Sequence, residues 1–352
     1  MRVKGLWRLE EGWKVCKKKL SKFVDKFYNH AAVLAYHRVI DLPSDPQLIA
    51  VSVENFEQQL QVLKNNYQIL SLKELGESIE KGKISNRSVV CTFDDGYSDN
   101  FMYAQPLLEK YQIPATFFVP TAFINQSDGL WWDKLENIFL WTETLPTTLI
   151  LEIQGAMYSW FFLEKNQVKN NRASWYVFQP YPCCHFKAYK ELHRLLRPLS
   201  FKIIEDIMQE IRAWAGIENY NLAEYRMLSS NEIKTLAQSS LIEVGSHTIT
   251  HPVLSAFSIT DQFKELEYSK KVLEELLSKK VTSIAYPFGG HADISVQTPQ
   301  MVEDIGYCMG IANVPGLVSK KSDRYKIPRF LVRNWNGQKF ANKLESWFSG
   351  KF

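Results

Sequence analysis

Ser88-Val89-Val90-Cys91-Thr92-Phe93-Asp94-Asp95-Gly96-Tyr97 is the stretch on which the fold turns. Six uncharged residues stop abruptly at two acids and a glycine. A short apolar run closed by a turn is the pattern of a strand buried on both faces. The acids then fall at its C-terminal end. A helical pattern follows over 99–111, so the unit reads strand, loop, helix.

The same unit recurs along the chain. Apolar runs lie at 32–37, 67–72, 115–120, 241–246, 281–286, 306–312 and 327–332. Helical stretches separate them: 53–65 after the N-cap residue Ser52, 229–238 opening on Ser-Ser-Asn-Glu, and 261–279. In the last of these, Phe263, Leu266, Val272, Leu273 and Leu276 are expected to face inward. Alternation without hairpin signals predicts an α/β fold with a parallel sheet, and seven or eight units predict a (β/α) barrel. Residues 125–225 break the rhythm. They hold six of the ten tryptophans (Trp131, Trp132, Trp141, Trp160, Trp175 and Trp214), well above an even spread. The expected organisation is a barrel over 31–124 and 226–352, interrupted by a Trp-rich insertion over 125–225.

Composition sets the outer bounds. The chain has 352 residues, 45% hydrophobic and 23% charged, which excludes a disordered tail, a collagen-like fibre and a coiled coil. Residues 1–30 carry nine Lys/Arg against three acids, a charge of +6, so with a total of +4 the remainder is 4 − 6 = −2. A body of that charge is not built to grip nucleic acid. The basic charge is confined to 1–30, where Trp13, Cys16, Leu20, Phe23, Val24 and Phe27 recur at helical spacing. Such an amphipathic segment suits peripheral contact with an anionic membrane surface. It lacks the apolar core of a secretory signal. The five cysteines form no CxxC pair, the usage expected of a reducing compartment. A cytoplasmic location follows as an expectation, with peripheral contact at the inner membrane face through 1–30. No feature of the sequence speaks to oligomeric state.

The polar residues collect at strand ends. His37 ends the first run, Asp94 and Asp95 follow 88–93, and His247 follows 241–246 with His251 four residues on. Tyr286-Pro287-Phe288-Gly289 closes another run, and Arg329 sits in the last. In a parallel barrel those ends share one face. Adjacent carboxylates at a strand end point in different directions, so one can reach a metal while the other stays free. If 246–252 turns helically, His247 and His251 fall one turn apart and reach the same ion. Two histidines and one carboxylate form a common ligand set for a catalytic divalent ion, with positions left for water and substrate. A free carboxylate beside it can take a proton and a protonated histidine opposite can give one, a constellation suited to hydrolysing an amide or ester.

Thr92-Phe93-Asp94-Asp95-Gly96-Tyr97, Ser246-His247-Thr248-Ile249-Thr250-His251-Pro252 and Tyr286-Pro287-Phe288-Gly289 resemble the metal-dependent polysaccharide deacetylases of carbohydrate esterase family 4. The resemblance extends from Tyr36-His37-Arg38-Val39 through Pro114-Ala115-Thr116-Phe117-Phe118 to Pro328-Arg329. It implies a distorted barrel of seven or eight mostly parallel strands. It implies Asp94 as general base and Asp95, His247 and His251 as ligands of one divalent metal ion. Zinc is the default, with cobalt, nickel or iron as alternatives. It also implies that Tyr286, Pro287 and Phe288 line the substrate groove, with the Phe288 N–H helping to bind the oxyanion.

Two departures bear on the acid. The arginine that commonly precedes the Pro-aromatic pair is replaced by Ala285-Tyr286, and no histidine follows His291 to supply the usual Leu-x-His. A permuted branch of the family takes this histidine from an N-terminal strand, and Tyr36-His37-Arg38-Val39 is similar to that arrangement. His37 is therefore the expected acid and His291 the alternative. Arg329 is expected to pair with Asp94 and keep it ionised. His185 and His193 read as structural, and Asp99 as a helix cap.

The function this implies is metal-dependent N-deacetylation of an N-acetylated sugar in a cell-surface glycan or its lipid-linked or nucleotide-linked precursor. The expected partner is a carbohydrate or glycolipid substrate, not a nucleic acid. A sugar deformylase or an O-acetyl esterase on the same site is the alternative, and a non-catalytic carbohydrate-binding protein a second one.

Overall fold

The computed structural model describes residues 29–162, 168, 171–220 and 222–352. The amphipathic segment expected over 1–30 lies almost wholly outside them. The strands in chain order are β1 Ala31–Tyr36, β2 Arg38–Val39, β3 Ala50–Val51, β4 Gln68–Ile69, β5 Ser88–Phe93, β6 Ala115–Val119, β7 Thr148–Ile153, β8 Ala156–Phe161, β9 Ile242–Ser246, β10 Ser283–Ala285, β11 Met309–Ile311 and β12 Phe330–Leu331.

The main sheet runs β11-β10-β9-β6-β5-β1-β12, with β4 beside β5, and every pairing within it is parallel. Ile327, just before β12, forms a parallel bridge with Ile311 of β11. The two edges of the sheet thus meet, and the sheet curls into a distorted (β/α) barrel. β1 and β5 are buried along their whole length, which is why they read as unbroken apolar runs. Their aromatic side chains pack in series. Tyr36 stacks on Phe93 at 5.1 Å between ring centroids, Phe93 stacks on Phe117 at 4.6 Å, and Phe56 meets Tyr36 edge-on at 5.3 Å. Each such ring contributes about 1.5–3 kcal/mol by burial, plus about 0.5–1.5 kcal/mol per well-oriented pair.

The helices start where their caps predict. The Ser52 side chain accepts from Asn55 N–H ahead of Val53–Asn66. Ser229 and Glu232 form a reciprocal capping box ahead of Ser230–Leu236. The stretch predicted as one helix over 99–111 is instead a π-helical turn, Asn100–Ala104, running into an α-helix, Gln105–Tyr111. Asp99 does not cap it. Its carboxylate accepts from Arg38 Nε at 2.8 Å and from Val39 N–H at 2.9 Å, pinning the loop after β1.

On Ile259–Leu277, Leu266 and Leu273 face inward as predicted and Leu276 packs against the core, but Phe263 and Val272 do not. Phe263 and Val272 are 37% and 41% exposed, while Gln262, Leu266, Ser269 and Leu273 are buried. The two polar residues go inward because partners await them. Gln262 bonds Thr298 and the Phe257 carbonyl, and Ser269 bonds Ser246.

The Trp-rich region supplies most of one hydrophobic cluster, which also takes in Tyr97, Phe123 and Met227. Trp131, Trp132, Trp160 and Trp175 are buried in it, and Trp141 and Trp214 pack against it. It also contains a hairpin that the sequence pattern hid. β7 and β8 pair antiparallel around Gln154 and Gly155, both with left-handed φ of 51° and 78°. A two-residue turn with both central residues left-handed matches the twist of the flanking strands. Gln supplies the first of these positions here, so the usual Asn-Gly signal is missing.

Candidate active site

The two acids diverge because the backbone turns between them. Asp94 still belongs to the sheet, its N–H donating to the Tyr36 carbonyl at 3.0 Å. Asp95 and Gly96 are left-handed, with φ of 70° and 72°. An aspartate tolerates that conformation better than most residues, and the glycine after it carries no side-chain penalty. Asp95 is thereby aimed across the barrel mouth toward β9.

The histidines arrive by a different route from the one expected. The chain after β9 is not helical. It is a loop in which Thr248 and His251 are left-handed, with φ of 66° and 57°. Glu265, on the helix Ile259–Leu277, holds the loop. One carboxylate oxygen accepts from the N–H groups of Ile249 and Thr250 at 2.8 and 2.9 Å, and the other from the Thr250 hydroxyl at 2.7 Å. Upstream, Gly245 gives β9 room. A Cβ there would lie 2.5 Å from the Phe118 ring, so only glycine fits without displacing the strand that delivers His247.

The result is a compact donor set. One ligand atom each of Asp95, His247 and His251, all three residues buried, lies within 4.8 Å of the others. Asp95 Oδ1 is 3.5 Å from His247 Nε2 and 3.2 Å from His251 Nε2. Two atoms bound to one tetrahedral ion at about 2.0–2.1 Å sit about 3.3–3.4 Å apart, so this spacing fits a shared cation. His247 Nδ1 lies 2.8 Å from the Ala285 carbonyl, which fixes the ring and leaves Nε2 for the site. Burial pushes the His251 pKa down despite its bond to Asp95. Burial alone would raise the Asp95 carboxyl, but hydrogen bonds from His247 and His251 hold it well below its ordinary range. A neutral imidazole beside an ionised carboxylate is the state that metal binding requires.

Asp94 is held separately. Arg329 grips both its oxygens, Nη1 to Oδ1 at 2.8 Å and Nη2 to Oδ2 at 2.7 Å, and also reaches Thr92 and the Ala312 carbonyl. Burial favours the protonated acid here, yet the Arg329 charge and bonds, with smaller help from His247 and His37, keep the pKa below its ordinary value.

Asp94, Asp95, His247 and His251 open on a cavity of about 230 Å³ that His37 and Phe288 also line. Burial lowers the His37 pKa against the pull of both acids. His291 is exposed and does not line the cavity. Of the Tyr286-Pro287-Phe288 segment, only Phe288 faces it. Tyr286 turns into the barrel core instead, where its hydroxyl donates to the Tyr325 carbonyl at 2.7 Å, and Pro287 is buried. Phe288 is left-handed, with φ of 58°, and packs against His251 at 4.8 Å between centroids. Among the described residues its N–H finds no partner within the chain.

Several wall residues carry no motif. Trp132, Phe178, His193 and Arg197 come from the 125–225 region, and Arg333 follows β12. His193, read as structural, packs on Trp131 and also lines the cavity. Only the spacing of His193 and Arg197, one helical turn apart, hinted that they share a face. A wider cleft of about 520 Å³, between 133–142 and 217–225, touches none of the ligand residues.

Fold and site together define a parallel barrel with a candidate metal centre at the mouth formed by its strand C-termini. The chain belongs to the polysaccharide deacetylase family, whose profile matches residues 81–140 and 150–309. It is 24% identical over 317 residues to YxkH, a Bacillus subtilis protein named for the same family, covering 89% of this chain and 76% of that one. It is 38% identical over 113 residues to a poly-beta-1,6-N-acetyl-D-glucosamine N-deacetylase of Staphylococcus epidermidis, but that match spans only 28% of this chain and 39% of the relative. Among solved structures, the Streptococcus pyogenes deacetylase PplD superposes with a TM-score of 0.56 at 19% identity, over 91% of this chain and 99% of that one. IcaB from Ammonifex degensii gives 0.54 at 17% identity, over 91% and 97%. At those identities the structural likeness speaks for the fold alone.

Proposed function

We propose that the protein is a metal-dependent N-deacetylase acting on an N-acetylated sugar of a glycan or of a glycan precursor. The observation that carries this reading is the meeting of Asp95, His247 and His251 donor atoms within 4.8 Å, beside a buried Asp94 that Arg329 keeps ionised. Asp95, His247 and His251 hold the ion. Once bound, a divalent cation of the zinc type supplies Lewis-acid polarisation of the acetyl carbonyl.

The remaining steps fall to the chain's own groups. Asp94 accepts the proton of the attacking water at a carboxylate oxygen. The Phe288 N–H donates to the oxyanion that forms as the carbonyl carbon becomes tetrahedral. His37, which lines the same cavity, gives a proton to the departing nitrogen. Trp132 and Phe288 flank His251 at 5.1 and 4.8 Å and exclude water from that side. Acetate and a free amine are the products. The +6 charge of residues 1–30 supports a substrate presented at an anionic membrane surface.

The test is product analysis on zinc-supplemented protein with N-acetylglucosamine oligomers and with N-formyl and O-acetyl analogues. Acetate released in step with new amine, and lost in Asp94→Asn, supports the reading. Acetate without new amine means an O-acetyl esterase, and faster formate release means a deformylase. Biological output unchanged in Asp94→Asn means a binding protein.

A further inference from the structure

One of the two guanidiniums lining the cavity, that of Arg333, is left without a carboxylate of its own among the described residues. Asp94 is taken up by Arg329, and Asp95 belongs to the histidine donor set. Arg197 stacks over the Phe288 ring at 4.3 Å and spends one end on Asp293, Nη2 to Oδ2 at 2.7 Å. Its Nε is buried and has no hydrogen-bond partner among the described residues. Arg333 has no carboxylate within ion-pair distance among the described residues. It donates through Nη1 to the carbonyl oxygens of Leu48 and Gln47. The acid whose charge reaches it, Asp45, is committed to the N–H groups of Ile49 and Ala50 at 2.9 Å each. Burial weakens the hold of Arg333 on its own charge, as expected of a guanidinium that lacks a counter-ion. A part-buried guanidinium with no carboxylate in ion-pair contact is costly unless a ligand supplies an anion. A planar guanidinium is also the side chain best matched to phosphate and carboxylate oxygens.

We propose that Arg333 and Arg197 form an anion subsite, so that the substrate is an N-acetylated sugar bearing a phosphate or a carboxylate on the same sugar unit as its acetamido group. This rests on the deacetylase reading and narrows it. A neutral homopolymer offers Arg333 hydroxyl acceptors but no charge. A sugar phosphate, or a uronic acid carrying an acetamido group, fills the position with two oxygens.

The test is calorimetric binding to the zinc-loaded protein, run beside acetate release. The probes are N-acetylglucosamine, N-acetylglucosamine 1-phosphate and N-acetylglucosaminuronic acid. One charged probe is expected to bind roughly ten- to a hundredfold more tightly than the neutral sugar, the range for a charge-assisted contact. Whichever of the two it is identifies the anion as phosphate or carboxylate. In Arg333→Gln the ratio of charged to neutral affinity is expected to fall about tenfold or more, with Arg333→Lys restoring part of it. Equal affinities in the wild type overturn the subsite, as does a ratio that Arg333→Gln leaves unmoved. Charge preference without acetate from any probe would retain the subsite and count against the deacetylase reading. Acetate from all three at equal affinity would do the reverse.

Discussion

Arg329 holds Asp94 by both carboxylate oxygens at 2.8 and 2.7 Å, at a point in the barrel where the two side chains are 0% and 3% exposed. Removing one partner of such a pair leaves an uncompensated buried charge. Arg329→Met is expected to cost about 3–5 kcal/mol in urea unfolding at neutral pH. Because the native Asp94 pKa lies below its ordinary value, its stabilisation is present above that ordinary value and lost as pH falls through the native one. The penalty of Arg329→Met should therefore shrink toward pH 3, as the orphaned acid takes up a proton. A penalty that stays constant with pH would contradict the pairing.

Binding at the Asp95, His247 and His251 set should register without turnover. Zinc at a hundredfold excess over its dissociation constant is expected to stabilise the fold by about 2.7 kcal/mol. The gain should vanish in His251→Ala and return to baseline on chelation, both read by thermal unfolding. An unaltered melting temperature with and without zinc would count against these ligands.

Glu265 touches no donor atom, yet it fixes the loop between the two histidines. Glu265→Ala is expected to weaken metal affinity by roughly ten- to a hundredfold, the usual cost of removing a group that orients a ligand. Metal titration of the purified variant measures this directly, and wild-type affinity would show that the loop holds its shape unaided.

His37 and His291 separate by location. His37→Ala is expected to lower kcat by roughly 10²–10⁴, while His291→Ala, altering an exposed side chain off the cavity, should stay near wild type. Steady-state kinetics on one N-acetylated substrate distinguishes them, and the opposite result would exchange the two assignments.

Glu136 gives the fold an alkaline weakness. Burial raises its pKa to about 8 from an ordinary 4.5, against the pull of a hydrogen bond from Trp141 at 3.2 Å. A carboxyl with a raised native pKa contributes stability that is full below pH 4.5 and lost as pH climbs through 8. Wild-type stability should therefore fall by a few kcal/mol across that interval. Glu136→Gln should flatten the slope in denaturation curves taken at pH 5, 7 and 9, and an identical slope would rule Glu136 out as its source.

The barrel was legible because its strands are buried on both faces. Uninterrupted apolar runs such as Ser88–Phe93 leave no other reading, and Asp94, Asp95 and His247 inherit their place from the strands they terminate. Geometry set by partners far along the chain was not legible. The loop from Thr248 to His251 takes its shape from Glu265, and Asp99 serves Arg38 instead of the helix beside it. On Ile259–Leu277, Leu266 and Leu273 were legible as inward, but Gln262 and Ser269 were not, because hydrophobicity cannot reveal that polar residues have partners waiting. Phe178, His193, Arg197 and Arg333 carry no motif. Only the folded chain brings them to one cavity.

Trp132, Phe178, His193 and Arg197 face the cavity from the segment between residues 125 and 225, whereas every ligand atom of the donor set and the Asp94 carboxylate come from the barrel proper. Arg333 and Phe288 close the same cavity from the barrel side, and Trp132 rests on His251 itself. The pocket is therefore a joint product of two stretches of the gene, and an exchange of the intervening segment has to keep Trp132 if the histidine beneath it is to hold its place.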